Sequence, residues 1–261
     1  MIMDFQDKVA IVTGASSGLG RAISVGLAKR GAAAIVLNYA SNQREADHSA
    51  DLVRDAGAEP VLVKGNVSED RDCRDIADAA SRFGSVDALF NNAGITRFAF
   101  DHADMAALSA DDFLDVYRVN VVGSYQMTRA CLALLQSARA PSSVVNIGSL
   151  SGITGYGSSI AYAASKAALN TMTVSLARAL APHIRVNVIC PGMIDTPWFA
   201  RGAGENIDSL RDRWRASTLL NAVSVADDIA DPAIFLASPH AQNITGELMV
   251  VDGGALLKAQ N

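Results

Sequence analysis

Short apolar runs alternate regularly with longer segments of mixed polarity along this chain. Seven of the runs are rich in Val, Ile and Leu and predict strands at residues 8–13, 33–39, 60–64, 86–90, 143–148, 184–190 and 247–251. Six helix-length segments are predicted at residues 18–30, 43–56, 69–83, 111–138, 160–181 and 226–237. Strands that are apolar on both faces and alternate with helices are typical of a parallel sheet covered on both sides. We therefore expect an α/β fold: a doubly wound, seven-stranded parallel sheet in three layers.

Composition and charge narrow the class of protein. The 261 residues are half hydrophobic and contain no repeat or linker, which predicts one domain over residues 1–261. Lys and Arg number 22 against 27 Asp and Glu, and no basic run is present, so a nucleic-acid partner is not expected. The N-terminal residues carry acids where a secretory signal carries bases, and no charge-free apolar stretch reaches membrane-spanning length. We expect a cytoplasmic protein without a membrane segment.

The cysteines and histidines give no sign of a disulfide framework or a metal site. Cys73, Cys131 and Cys190 are odd in number and far apart, which favours reduced thiols in the core. The 4 histidines are scattered without metal-ligand spacing. No metal is predicted.

A glycine-rich turn directly follows the first predicted strand. Gly14, Gly18 and Gly20 lie between that strand and the body of the helix predicted at 18–30. Glycines let a backbone turn tightly and approach a ligand, and the free N–H groups of a helix N-terminus favour phosphate. The turn therefore indicates a site for the pyrophosphate of a cofactor. Its spacing, G-x3-G-x-G, differs from the G-x-G-x-x-G dinucleotide fingerprint, so a plain tight turn is the alternative.

A tyrosine and a lysine stand four residues apart in the helix predicted at 160–181. Residues at i and i+4 share one helix face, so the Lys166 ammonium can sit beside the Tyr162 phenol. A free phenol titrates near ~10 and a nearby cation favours phenolate, which predicts an acid/base that works close to neutral pH. Ser149 lies 13 residues upstream of Tyr162, at the end of a predicted strand. Taken alone, the Tyr-x3-Lys pair could also be a surface helix pair.

These motifs and three others form an ordered series: Thr13-Gly14-x3-Gly18-x-Gly20, Asn91-Asn92-Ala93-Gly94, Asn120, Ser149, Tyr162-x3-Lys166 and Pro191-Gly192 with Thr196. The series resembles that of the short-chain dehydrogenase/reductases and covers nearly the whole chain. The resemblance implies a Rossmann-like fold, with one NAD(P)-binding domain and a small substrate lid near 195–220. It also implies a homotetramer in which the helices at 111–138 and 160–181 and the last strand pack against partner copies.

The same resemblance implies a catalytic set of four residues. Tyr162 would protonate the developing alkoxide during carbonyl reduction, or take the hydroxyl proton during oxidation. Lys166 would lower the pKa of Tyr162 and bind the hydroxyls of the nicotinamide ribose. Ser149 would hold the substrate oxygen, and Asn120 would relay protons through a water beside Lys166.

Cofactor contacts are implied at the ends of several strands. They are Gly14, Ser16, Ser17, Gly18, Leu19 and Gly20 at the pyrophosphate; Asn38, Tyr39 and Ser41 after the second strand; Asn66 and Val67 at the adenine; Asn92, Ala93 and Gly94 at the adenosine ribose; Pro191, Gly192, Ile194 and Thr196 at the carboxamide; and Tyr162 and Lys166. The segment after the second predicted strand contains no acid that would repel a 2′-phosphate, which favours NADP(H) over NAD(H). Against this, Ser17 stands where many NADP(H)-preferring relatives carry a basic residue.

The substrate end is the least determined by the sequence. Ser151, Tyr156, Trp198 and Phe199 are plausible walls of a substrate pocket, although the aromatic residues could equally pack the lid against the core. A cluster of arginines could attract an anionic substrate; it comprises Arg201, Arg211, Arg213 and Arg215. Interleaved aspartates instead favour an ion-paired, exposed helix there.

We therefore expect an NADP(H)-preferring oxidoreductase that interconverts a small-molecule carbonyl and a secondary alcohol, with Tyr162 as the acid/base. An NAD(H)-linked sugar, polyol or alcohol dehydrogenase is the main alternative. A nucleotide-sensing protein without turnover on the same fold is a further one. An epimerase or dehydratase of the extended family normally needs a longer chain than 261 residues.

Overall fold

The strands that the apolar runs predict are all present. The structure is a computed structural model that describes residues 3–203 and 206–258. Its strands are β1 (Val9–Val12), β2 (Ala34–Tyr39), β3 (Glu59–Lys64), β4 (Ala88–Asn91), β5 (Ser142–Ile147), β6 (Ile184–Pro191) and β7 (Leu248–Val251). Within the described ranges they form one seven-stranded parallel sheet in the order β3-β2-β1-β4-β5-β6-β7. The order reverses between β1 and β4, which confirms the doubly wound, Rossmann-like α/β fold.

Helices cover both faces of this sheet. They are α1 (Gly18–Lys29), α2 (Gln43–Asp55), α3 (Asp70–Ser81), α4 (Ala110–Tyr117), α5 (Ser124–Ala130), α6 (Leu132–Gln136), α7 (Ser151–Thr154), α8 (Ile160–Leu180), α9 (Pro197–Ala203), α10 (Ile207–Ser217), α11 (Ala226–Ala237) and α12 (Ala255–Lys258). Because side chains alternate along a strand, Ala10 and Val12 of β1 pack into one apolar cluster and Val9 and Ile11 into another. The first cluster includes residues of α1, α2 and α11, and the second includes residues of α3, α5, α6 and α8. The three-layer arrangement expected from the sequence is confirmed.

The sequence predicts a single long helix at 111–138, and this prediction is wrong because the segment is not one continuous helix. The chain instead forms α4, a π-helical turn over Arg118–Gly123, α5 and α6. Tertiary contacts explain the break: the Asn120 side chain bonds both the backbone of Ile95 and the Ser165 hydroxyl. A Cβ on Gly123 would lie 2.8 Å from a methyl of Val67, so only glycine fits this close approach. Such π turns are frequent at functional sites, and this one carries a predicted catalytic residue.

The lid expected near 195–220 contains two helices, of which only the ion-paired one was expected from the sequence. α9 begins at Pro197, where a proline suits the first helical position, and α10 follows after a short break that includes the undescribed residues 204 and 205. Two short helices, α7 and α12, were also missed. Among the described residues, no helix is long and apolar enough to cross a membrane.

Candidate active site

A cavity of about 1250 Å³ opens where the parallel strands end. Its walls include the segments that follow β1 to β6, and it spans the point where the strand order reverses. Open α/β sheets bind ligands in this crevice. The volume exceeds the ~300–1,000 Å³ of an ordinary small-molecule pocket, so there is room for a dinucleotide and a substrate together.

The predicted glycine turn lines one end of this cavity. Gly14 and Gly18 have left-handed backbones, with φ of 63° and 54°, which favour glycine. A Cβ on Gly20 would lie 2.4 Å from the carbonyl oxygen of Gly14, so this residue is needed for the turn to close on α1. Ser17 caps α1 without a side-chain hydrogen bond to the helix, which leaves the N-terminal N–H groups available for an anion.

Of the predicted pyrophosphate contacts, those that line the cavity are Gly14, Ser16, Ser17, Gly18 and Leu19. Gly20 is not among the described lining residues, because it is packed beneath the turn. Gly20 was predicted to contact the pyrophosphate directly, whereas in the structure it shapes the turn.

The turn is locked to β4 by Thr13, a residue to which the sequence assigned no role. Its hydroxyl accepts hydrogen bonds of 3.0 Å from the backbone N–H groups of both Asn92 and Ala93. The Asn92 amide in turn donates to the carbonyl oxygens of Thr13 and Gly14, at 2.9 and 3.1 Å. Asn92, Ala93 and Gly94 line the cavity as predicted, but the Asn92 side chain joins neighbouring strands.

The end of β2 differs from the prediction in two residues. Asn38 lines the cavity, but its buried amide accepts from Gly14 N at 3.3 Å and donates to Gly65 O at 2.9 Å. The Tyr39 side chain is buried, and its hydroxyl donates to Gln43, which places it outside the described lining residues. Ser41 lines the cavity. The prediction that Tyr39 contacts the cofactor is thus wrong for its side chain, because that side chain points from β2 into the protein interior and away from the cavity.

The segments predicted to contact the adenine and the carboxamide both line the cavity. Asn66 and Val67 line it after β3, and Asn66 Oδ1 accepts from Ser68 N at 3.1 Å in a turn. The remaining lining residues of the prediction are Pro191, Gly192, Ile194 and Thr196 after β6. The cavity therefore brings together three segments that are far apart in sequence: the glycine turn, the segment predicted to contact the adenine and the segment predicted to contact the carboxamide.

The tyrosine and lysine lie on one face of α8, as their spacing predicts. The helix begins at Ile160, where the Ser159 hydroxyl accepts from Tyr162 N at 3.1 Å and so caps the first turn. Lys166 Nζ lies 5.6 Å from the centre of the Tyr162 ring and donates to the carbonyl oxygen of Ile147, at the end of β5, at 2.6 Å. Both residues line the cavity.

Burial shifts the pKa of these two groups in opposite directions. Desolvation raises the pKa of Tyr162 to about 12, although a hydrogen bond with Ser149 lowers it in part. Desolvation lowers the pKa of Lys166 to about 8. The lowered Tyr162 pKa expected from the sequence is wrong for this structure, because desolvation by burial is the largest influence on this pKa. At neutral pH the phenol is protonated and the amine is charged.

Ser149 and Asn120 reach the pair in different ways. Ser149 lines the cavity beside Tyr162 and accepts from Ser151 N at 3.1 Å. The Asn120 side chain is fully buried and does not appear in the described cavity wall. It accepts from Ile95 N at 2.8 Å and donates to the Ser165 hydroxyl, which bonds the Tyr162 carbonyl at 2.7 Å. Asn120 therefore fixes the loop at Ile95 to α8.

Aromatic side chains form the wall beside Tyr162. The ring of Trp198 lies 5.7 Å from that of Tyr162 and 5.0 Å from that of Phe199. Phe98 packs against Trp198, with ring centres 5.6 Å apart, although it is not itself among the described lining residues. A Cβ on Gly202 would lie 2.2 Å from the Phe98 ring, so the ring rests directly on this glycine of α9. No sequence pattern signals such a contact.

The remaining predicted substrate residues line the cavity at its open side. Ser151 and Tyr156 both contribute to the wall, and Tyr156 is exposed, with its ring 5.2 Å from that of His102. In the part of the chain that the structure describes, no three His, Cys, Asp or Glu side chains are grouped to hold a metal.

The arginines of the segment at 195–220 divide into two groups. Arg211 pairs with Asp195 and Asp208, both at 2.8 Å, and Arg215 pairs with Asp212 at 2.7 Å. The expected ion-paired helix is thus confirmed for these two. Arg213 instead lines the cavity. The Arg201 side chain lies outside the described part of the structure.

Comparison with known proteins agrees with this geometry. A family model described as enoyl-(acyl carrier protein) reductase matches residues 14–255. The 3-oxoacyl-[acyl-carrier-protein] reductase FabG of Vibrio harveyi is 36% identical, over 97% of this chain and 98% of its own. An L-rhamnose 1-dehydrogenase (NAD(P)(+)) of a Sphingomonas species is 33% identical, over 98% of each chain.

Solved structures give the same assignment. A short-chain dehydrogenase from Burkholderia cenocepacia, crystallised in complex with NADP, is 30% identical, has a TM-score of 0.86, and is matched over 97% of this chain and 99% of its own. The cavity at the strand-order reversal and the Tyr-x3-Lys pair on its wall agree with these similarities. The chain belongs to the short-chain dehydrogenase/reductase family of oxidoreductases.

Proposed function

We propose that this protein is an NADP(H)-preferring oxidoreductase that interconverts a carbonyl and a secondary alcohol. The observation that carries the proposal is the position of Tyr162, whose phenol is protonated at neutral pH and lies on the cavity wall beside Ser149 and Lys166. Such a phenol can donate a proton to a carbonyl oxygen as negative charge develops there. When bound, the nicotinamide supplies the hydride for reduction and accepts it in oxidation.

The contacts of three neighbours support their proposed roles. Ser149 lines the same cavity as Tyr162, so its hydroxyl can donate to the same substrate oxygen. Lys166 uses one of its three donors on Ile147, which leaves two for the ribose hydroxyls of the cofactor. A Cβ on Gly94 would lie 3.2 Å from Asn120 Oδ1 and 3.7 Å from Lys166 Nζ. The glycine therefore keeps open the space in which we place the proton relay.

The cavity fits a nicotinamide dinucleotide. The left-handed Gly14 and Gly18 allow close approach to the uncapped N-terminus of α1, which suits a pyrophosphate. The described segment after β2 places Ser41 and Asn42 on the cavity wall and contains no acid. Their hydroxyl and amide groups can donate to a 2′-phosphate, which supports NADP(H).

A cation near the expected position of the 2′-phosphate adds to the preference for NADP(H). The Arg21 guanidinium is held by Glu45 and by the Ser16 carbonyl, both at 2.6 Å, and so is already engaged. Arg44, exposed in the first turn of α2, is the cation that we propose for the 2′-phosphate. The Burkholderia cenocepacia relative was crystallised with NADP, which agrees with this choice.

We also propose that residues 195–220 act as the substrate lid, with Trp198 and Phe199 against the substrate. The protein is proposed to be a homotetramer, because α4 and α5 expose Phe113, Leu114 and Tyr125, apolar residues that an interface would bury. The three buried free thiols fit a cytoplasmic location.

A substrate screen tests the proposal. The purified protein is mixed with NADPH or NADH and with ketones, 3-ketoacyl thioesters, enoyl thioesters or keto sugars, and loss of reduced cofactor is followed by absorbance. Alcohols and sugars with the oxidised cofactors form the reverse screen. We expect turnover of at least one carbonyl, with higher kcat/KM for NADPH. Turnover of enoyl thioesters alone would contradict carbonyl chemistry, and cofactor binding without any turnover would indicate a nucleotide sensor.

A further inference from the structure

The lid helix α10 presents a cationic side chain to the cavity. Leu210, Arg213, Trp214 and Ser217 of this helix all line the cavity, and their spacing of i, i+3, i+4 and i+7 places them on one helix face. Arg211 and Arg215 lie off this face and are paired with aspartates. Arg213 is therefore the charged residue on the helix face that lines the cavity, where the other residues are apolar or, in the case of Ser217, carry a hydroxyl.

A second cation, Lys258 of α12, lines the same part of the cavity as Arg213. Lys258 lines the cavity, and its Nζ donates to the carbonyl oxygen of Thr218 at 3.1 Å. Thr218 directly follows Ser217 at the end of α10, one helical turn beyond Arg213. The Lys258 ammonium uses one of its three donors in this contact, so two can bind a ligand. The contact also offsets the negative end of α10, which alone would disfavour an anion.

The charge balance of the cavity is opposite to that of the chain. The chain has 27 acidic and 22 basic residues, yet the charged side chains among the described lining residues are Lys166, Arg213 and Lys258, without a carboxylate. Lys166 belongs to the catalytic pair and is directed at Ile147. The two remaining cations both lie at the lid end.

Apolar side chains border this cationic end. Trp214 packs against the turn after β6, since a Cβ on Gly192 would lie 2.7 Å from its ring, and Leu210 and Leu256 line the same region. Trp198 and Phe199 continue the apolar wall to Tyr162. A matching ligand has a carbonyl at one end, an apolar body and an anionic group at the other.

Resting on the proposed function, we propose that Arg213 and Lys258 form an anion site that selects carbonyl substrates bearing a terminal carboxylate or phosphate. The two cations bind the anionic group, the apolar wall packs against the body of the substrate, and the carbonyl lies at Tyr162. Hydrogen bonds between charged groups are strong enough to give a preference of about 10- to 100-fold over a neutral analogue.

Matched ketone series test the site. The acids CH₃–CO–(CH₂)n–COO⁻, with n from 2 to 8, are compared with their methyl esters and with the phosphates CH₃–CO–(CH₂)n–OPO₃²⁻, using NADPH. We expect kcat/KM for one anionic series to exceed that of the esters about 10- to 100-fold at a preferred length, mainly through KM. The better series identifies the anionic group, and the preferred length reports its distance from the reacting carbonyl.

Variants show which side chains are responsible. Arg213→Gln and Lys258→Gln should each lower kcat/KM for the anionic ketones more than for the esters, and so reduce the preference for the anion. Arg215→Gln is the matched control, because this arginine lies on the same helix but is paired with Asp212. Equal kcat/KM for anions and esters at every length would overturn the proposal, and so would a preference that survives both variants.

Binding without turnover separates this proposal from the proposed function. Octanoate and 1-octanol are titrated into the NADP⁺ complex, and the fluorescence of the two tryptophans, Trp198 and Trp214, is followed. Octanoate should bind more tightly than octanol to the wild type and lose this advantage in Arg213→Gln. Equal binding overturns the anion site even if ketones are reduced. Tighter octanoate binding without any ketone turnover would instead retain the site and contradict the proposed function.

Discussion

The buried ammonium of Lys166 predicts a specific dependence of stability on pH. Only 4% of this residue is exposed, and desolvation lowers its pKa from 10.5 to about 8. Below pH 8 the amine is protonated in both the folded and the unfolded chain, so the full cost of burying the charge is present. Between pH 8 and 10.5 the unfolded chain binds more protons, so the free energy of unfolding rises with pH.

The size of this effect follows from the two pKa values. They differ by about 2.5, and one pKa unit corresponds to ~1.36 kcal/mol, so the gain across the whole window is about 3 kcal/mol. Lys166→Met removes the titrating group and keeps most of the side-chain volume. Its lost hydrogen bond to Ile147 costs about 1–3 kcal/mol at every pH and so does not change the slope.

Urea unfolding of both proteins between pH 7 and 10 measures the effect, once refolding to full activity has been verified. We expect the stability of the wild type, relative to Lys166→Met, to increase with pH above about 8. Titrating groups that do not interact with Lys166 cancel in the difference. Lys29→Met, at an exposed lysine of α1, should parallel the wild type. A constant difference between wild type and Lys166→Met across this range would show that the ammonium is not desolvated.

Two further predictions concern the turn and the lid. Thr13→Val leaves the N–H groups of Asn92 and Ala93 without their acceptor and should lower stability to urea by about 1–3 kcal/mol for each unsatisfied group, whereas Thr13→Ser should retain wild-type stability. Gly202→Ala forces a methyl into the Phe98 ring and should cost about 1–3 kcal/mol in thermal unfolding. Phe98→Ala should relieve that cost in the double variant, and strictly additive effects would contradict the contact.

The strands could be predicted from the sequence because both of their faces are buried. Runs such as that of β1 need to be apolar at every position, and this pattern is visible without the fold. The break in the helix predicted at 111–138 could not be seen, because it depends on the contacts of Asn120 with Ile95 and Ser165. Hydrogen bonds between segments that are distant in sequence leave no local pattern.

Which residues form the candidate site could largely be predicted from the sequence, but the role of each residue could be predicted less well. Spacing placed Tyr162 and Lys166 on one helix face, yet the direction of the Tyr162 pKa depends on burial, which spacing does not report. Asn38 and Asn92 reach the cavity, but their amides are engaged by the neighbouring strands. Phe98 packs against Trp198 only because Gly202 leaves room for its ring.

The central claim is that the Tyr162 hydroxyl transfers the proton during carbonyl reduction. Its most direct test is the rate of NADPH oxidation by Tyr162→Phe with the best substrate, measured together with the Kd for NADPH. Removing only the proton donor should lower kcat about 10²- to 10⁴-fold and leave the Kd unchanged. Tyr117→Phe, at an exposed tyrosine outside the described cavity wall, should turn over like the wild type. A kcat near that of the wild type in Tyr162→Phe would contradict the account.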